Sequence, residues 1–181
     1  LAAASRHGNG SEAGRAGLIG KRLDAGGNRP AGEEMARKPN ILLITGERPC
    51  LGLMAEGVIR YVAGSLVGVE TAGRSTRRDD PFCQWAMNEI GIDLSILQLE
   101  PLGRKDLRSF THFVLVDGSA PTPSLPEEGR VEHWRLPDPA KVRGEPSERI
   151  VAYRIIRNRV ERLAKALIAR VMEGQDHVAA R

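Results

Sequence analysis

The chain has 181 residues, enough for one domain with a full core and tails, and its 41% hydrophobic and 28% charged content fits a globular protein rather than a disordered one. The net charge of +4 is dispersed: Arg77 and Arg78 are followed at once by Asp79 and Asp80, and no basic stripe is interleaved with aromatics, which argues against a nucleic-acid partner. No apolar run approaches the ~20 residues of a membrane span, and the start lacks the apolar stretch of a signal peptide. A cytoplasmic protein without a membrane partner is expected, with Cys50 and Cys83 as reduced thiols whose spacing does not argue for a disulfide.

Residues 1–34 hold eight of the twenty glycines, one adjacent aliphatic pair (Leu18, Ile19) and no hydrophobic period. Such a segment cannot offset the entropy of ordering and is expected to be disordered. The domain is expected over residues 35–174, with Met35 a normal start, and residues 175–181 as a disordered tail.

Ile41 to Ile44 is a short, continuously apolar run ending in Thr45-Gly46, the pattern of a buried parallel strand. After a loop with Pro49 and Gly52, Met54, Val58 and Tyr61/Val62 fall at helical spacing, and Gly64 is a helix stop. Val67 to Thr71 reads as a second strand. Pro81 starts a helix, with Phe82, Trp85/Ala86 and Glu89/Ile90 in step and Gly91 closing it. His112 to Val116 is a third buried strand, Ala120 to Gly129 a proline-rich loop, and Val131 to Leu136 a fourth strand. In the last element Ser147 can cap and Glu148 sits in the first turn, while Ile156, Val160, Leu163, Leu167 and Val171 recur at intervals of four and three. This predicts an amphipathic helix of about 25 residues ending before Gly174. Strands alternating with helices imply an α/β fold of three layers: a four-stranded parallel sheet, order 2-1-3-4, with helices on both faces. Ligands of such sheets bind at the carboxyl ends of the strands, where the loops after Ile44 and Val116 lie.

The loop after the first strand carries a resemblance. It reads Thr45-Gly46-Glu47-Arg48-Pro49-Cys50-Leu51-Gly52-Leu53-Met54-Ala55-Glu56-Gly57, which is similar to the Cys-x-Gly-Asn-x-Cys-Arg-Ser loop and Met-Ala-Glu-Gly helix start of low-molecular-weight tyrosine phosphatases and arsenate reductases. Further blocks follow in the same order. Val69 to Gly73 resembles the family's second strand, Ala86 to Ser95 its run of Met-x-Glu-Ile-Gly-Ile-Asp-Ile-Ser, and Phe113 to Val116 its third strand. His133 to Ala140 looks like the Trp-x-x-Pro-Asp-Pro segment of the arsenate-reductase branch. The similarity covers residues 39–173.

The resemblance implies displacement at a tetrahedral oxyanion. That chemistry needs a thiolate, a ring of backbone N–H groups with a bidentate arginine, and an aspartic acid to protonate the leaving group. Counting back from Met54 without a gap places Thr45 at the nucleophile position; aligning Thr45-Gly46 with the family's x-Gly and one inserted residue places Ile44 there. Neither is cysteine, and a threonine hydroxyl without a base is not an anionic nucleophile at neutral pH. The family's arginine is Leu51 here, Pro49 removes one loop N–H, and Glu47 adds a negative charge, with a solvated Glu47–Arg48 pair expected beside it. The anion loop is therefore residues Gly46, Glu47, Arg48, Pro49, Cys50, Leu51 and Gly52 with its chemistry removed.

Cys50 stands at the family's second loop cysteine, either as a redox-sensitive thiol near a helix N-terminus or, preferred, as a small packed residue. Cys83 is expected as packing. The cysteines that thioredoxin-coupled reductases use after the third strand are absent. Asp138 matches the general acid, but an aspartate between two prolines also fixes a turn through its own side chain, and that reading is preferred. His133 stands alone as a half-buried strand residue, so neither a metal nor a cofactor is implied. The expectation is a non-catalytic relative acting as a binding or regulatory module toward a small oxyanion or a protein; the alternative is an active phosphatase or arsenate reductase with a rearranged site.

Overall fold

Apolar runs flanked by turn residues assemble into one parallel sheet. In the computed structural model the described residues are 38–75 and 80–179, with side chains described to 174. The expected disorder of residues 1–34 lies outside them. The elements in chain order are β1 (Asn40–Thr45), α1 (Pro49–Ala63), β2 (Gly68–Gly73), α2 (Pro81–Asn88), β3 (Leu99–Pro101), β4 (His112–Asp117), β5 (Arg130–Leu136) and α3 (Pro146–Ala179).

The sheet has five strands rather than four, in the order β3-β2-β1-β4-β5, so the expected order is corrected. The added strand is a three-residue edge, Leu99 to Pro101, paired in parallel with Thr71 to Gly73. All pairings are parallel. Ile41, Leu42, Leu43 and Ile44 are wholly buried, because both faces of β1 are covered.

The two faces are covered differently. Ile41, Leu43, Val69, Val114 and Val116 pack against α1, α2 and α3, whereas Leu42, Ile44, Ala72 and Phe113 pack against Phe110, Leu102, Leu107 and Leu125. The second face is thus roofed by one-turn 3-10 helices (Leu102–Arg104, Leu107–Ser109) and the proline-rich loop, not by long helices. The three layers stand, with one of them thin.

Helix α1 ends at Gly64, whose φ of 53° is the left-handed conformation glycine adopts without cost, and its N–H caps Arg60 O. Its buried face differs from the expected one: Tyr61 and Val62 are exposed, and Ile59 and Ala63 turn inward with Met54 and Val58. Trp85 is likewise exposed, and Cys83, Ala86 and Met87 are the buried positions of α2. Helix α3 buries Ile156, Val160, Leu167 and Val171 as expected, but it starts at Pro146, with Glu148 reaching back to the N–H of Glu145 at 3.0 Å in place of a Ser147 cap. It also runs through Gly174 to Ala179, so residues 175–179 are helical rather than a disordered tail. Among the described residues no helix is long and apolar enough to cross a membrane.

Candidate functional site

At the carboxyl end of β1 the chain must turn within three residues into α1, and this tight turn forms the site. Gly46 permits it: a Cβ there would collide with the hydroxyl and backbone of Ser119. The close approach lets the β1 and β4 loops bond directly. Gly46 N–H donates to Asp117 Oδ2 at 3.1 Å and Glu47 N–H to Ser119 Oγ at 3.3 Å. Asp117 Oδ1 in turn accepts from the N–H and the hydroxyl of Ser119, at 2.7 and 2.6 Å. A carboxylate of this same chain thereby takes a backbone donor that an oxyanion would need.

Thr45 lies at the end of β1, fully buried, with its hydroxyl donating at 3.5 Å to Ala72 O, a long and weak bond. Pro49 opens α1, and Leu51 N–H bonds to Arg48 O at 3.4 Å. The Leu51 side chain is 1% exposed and sits in the main core, while Gly52 is buried against Thr45 and Thr71. Glu47 and Arg48 do not pair with each other as expected. Glu47 lies 3.9 Å from Arg74, both well exposed, whereas Arg48 pairs with Asp138 at 3.0 Å.

Asp138 reaches this position through an irregular strand. In β5 one extra residue stands between His133 and Leu136, opposite Leu115 and Asp117 of β4, and Arg135 adopts φ 46°. Trp134 and Leu136, two residues apart, are both buried, and the bulge with its left-handed residue bends the strand before Pro137-Asp138-Pro139. Asp138 Oδ1 accepts the N–H of Ala140 at 2.9 Å, the local turn bond its sequence context implies, and Oδ2 meets Arg48. His133 is exposed rather than half-buried, because its neighbour Trp134 takes the inward position.

Sequence reasoning missed the wall opposite the loop. A cleft of about 970 Å³ is lined by Glu47, Arg48, Pro49 and Cys50 on one side and by Asp80, Pro81, Cys83, Gln84, Leu94 and Ser95 on the other. Asp80 caps α2 through the N–H of Cys83 at 3.2 Å and accepts from the Tyr153 hydroxyl at 2.8 Å. Burial first, and then the carboxylate of Asp80, holds that phenol well above its ordinary range. Cys50 is pushed well up too, by burial first, then by its contact with Cys83 and by the charges of Asp80 and Asp138. It is held as a thiol, the opposite of what a catalytic cysteine requires. Asp80 before Pro81 was readable as a helix cap, but nothing local marks its contact with Tyr153, 73 residues away. Among the described residues no group of three or more His, Cys, Asp or Glu could hold a metal ion.

Over 129 residues the chain is 33% identical to an arsenate reductase of Shouchella clausii, covering 70% of this chain and 91% of that relative. An arsenate reductase of Halalkalibacterium halodurans is 30% identical over 133 residues, 72% and 95% of the two chains. Among solved structures, an arsenate reductase in the phosphate binding state matches with a TM-score of 0.61 at 23% identity, over 73% of this chain and 98% of that one. A protein tyrosine phosphatase from Entamoeba histolytica matches with a TM-score of 0.62 at 16% identity, over 76% and 99%. At these identities the structural likenesses speak for the fold alone. No protein-family model matches the chain.

Proposed function

Since the chain belongs to the superfamily of arsenate reductases and low-molecular-weight tyrosine phosphatases, we propose that it is a member whose anion loop no longer performs chemistry and that it acts as a binding or regulatory module. The observation that carries this reading is the closure of the loop onto its own protein. The N–H groups of Gly46 and Glu47 are bonded to Asp117 and Ser119, and Leu51 is in the core. A tetrahedral oxyanion would have to displace a charged carboxylate from Gly46 and would find no guanidinium at residue 51 to share its charge.

The nucleophile position supports the same reading. Thr45 is buried and spends its hydroxyl proton on a backbone carbonyl rather than on a base. The expected outcome is no turnover of an aryl phosphate, none of arsenate with a dithiol reductant, and no rise in melting temperature with added phosphate. Turnover at a steady rate by the purified chain, removed by Thr45→Ala, would defeat the proposal.

One observation favours the alternative of an active enzyme with a rearranged site. A thiol, a cation and an acid gather in one place: Cys50 and Arg48 line the same cleft, and Arg48 pairs with Asp138. Cys50→Ser decides it. If turnover exists and that variant abolishes it, the rearranged site is the correct reading; the raised Cys50 thiol weighs against this.

A further inference from the structure

Two thiols meet at the floor of the cleft, and the family resemblance accounts for only one of them. Cys50 is the second residue of α1 and Cys83 the third of α2, 33 residues apart in sequence. Packing of the two helix starts brings them together: the Cys83 thiol donates to Cys50 O at 3.5 Å. Both are free and nearly buried, at 7% and 3% exposure, yet both line the cleft. They are the only cysteines of the chain. Two free thiols brought together by adjoining helix starts, both lining one cavity, form a site suited to a disulfide.

We propose that Cys50 and Cys83 are a reversible dithiol–disulfide pair, oxidised by a small-molecule disulfide that enters the cleft, and that the bond ties the start of α1 to the start of α2. One cysteine sulfur, as thiolate, attacks a sulfur of the reagent; the reagent's S–S bond breaks and its first thiol leaves. The second cysteine sulfur then attacks the mixed disulfide, the Cys50 Sγ–Cys83 Sγ bond forms, and the second reagent thiol leaves. Two electrons pass from the cysteines to the reagent, and the two cysteine protons end on the two released thiols. Cys50 belongs to the loop, but the bond uses its side chain and not a loop N–H, so the inference goes beyond the proposed function and holds whether or not the chain turns over an oxyanion.

The test equilibrates the native full chain with graded ratios of oxidised to reduced glutathione, quenches with acid, alkylates, and maps the peptides by mass spectrometry while circular dichroism follows the fold. Expected is an intact mass lower by two hydrogens and a linked peptide pair containing Cys50 and Cys83, reversed by excess reduced glutathione. Cys50→Ser and Cys83→Ser, each close in size to the native residue, should each lose the linked pair and show only a glutathione adduct or a free thiol. The proposal is overturned if the wild-type chain stays reduced at every ratio, carries only glutathione adducts, links only between chains, or forms the bond only once the dichroism shows unfolding.

Discussion

The loop after β1 and the turn after β5 are joined by the Arg48–Asp138 pair, and they resemble the family pattern to very different degrees. The turn retains Trp134 and Pro137-Asp138-Pro139, and each retained group serves the fold, since Trp134 is buried and Asp138 caps the N–H of Ala140. The same holds for Met54 to Gly57, where Met54 is wholly buried, Glu56 pairs with Arg60, and a Cβ on Gly57 would press on Ile92. In the loop, by contrast, Thr45 and Leu51 stand where the resemblance aligns a cysteine and an arginine, and the N–H groups of Gly46 and Glu47 are bonded internally. On the proposed reading, residues persist where the fold itself needs them and vanish where only a ligand did.

The sharpest way to break that contrast is to restore the arginine. Leu51→Arg puts a charge into the main core without a partner, and a loss of roughly 3–5 kcal/mol is expected, the scale of an uncompensated buried charge. Denaturant unfolding measures it. A tolerated substitution that also gains phosphate protection would mean the loop is still an anion cradle. A smaller effect separates the two bonds of Asp138. Asp138→Ala removes both the turn bond and the Arg48 pair and should cost about 1 kcal/mol. Asp138→Asn keeps an acceptor for Ala140 and loses only a pair whose arginine is half exposed, so a change within about 0.5 kcal/mol is expected. Equal losses in the two variants would assign Asp138 to its charge and undo the structural reading.

Much of the scaffold was legible because its signals are local. The apolar run of β1 needs cover on both faces, and the spacing from Ile156 to Val171 admits one helical face. Strand β3 was not, since three residues ending in proline are too short to show a period and form only by pairing with β2. Likewise Gly174 reads as a stop, yet it costs only about 1 kcal/mol inside a helix and α3 continues beyond it. For the site, the sequence shows no cysteine at Thr45 or Ile44 and no arginine at Leu51, the positions the resemblance aligns with the family's loop. The contacts around them were hidden: Asp117 Oδ2 on Gly46 and Cys83 on Cys50 are separated by 71 and 33 residues, and only the packed chain brings them together.

The last and smallest test concerns Glu56, a family residue whose retention comes at a cost in stability. Its carboxyl is 1% exposed, Oε1 pairs with Arg60 at 2.8 Å, and Oε2 has no hydrogen-bond partner. Burial raises its pKa from the ordinary 4.5, with Glu70 pushing the same way and Thr71 and Arg60 opposing. The folded state thus holds this proton more tightly than the unfolded one. In the window from 4.5 up to the raised value, the Glu56 contribution to stability falls as pH rises; below the window the penalty is absent, and above it the penalty is complete. Glu56→Gln should flatten that part of the profile. Its offset at the acid end should stay under about 1 kcal/mol, because Gln matches the protonated acid in shape and Arg60 is half exposed. Thermal or urea unfolding of both chains across that range reads the difference. A wild-type profile that rises with pH there, and an unchanged slope in the variant, would show that Glu56 is retained for its charge rather than for its fit under α1.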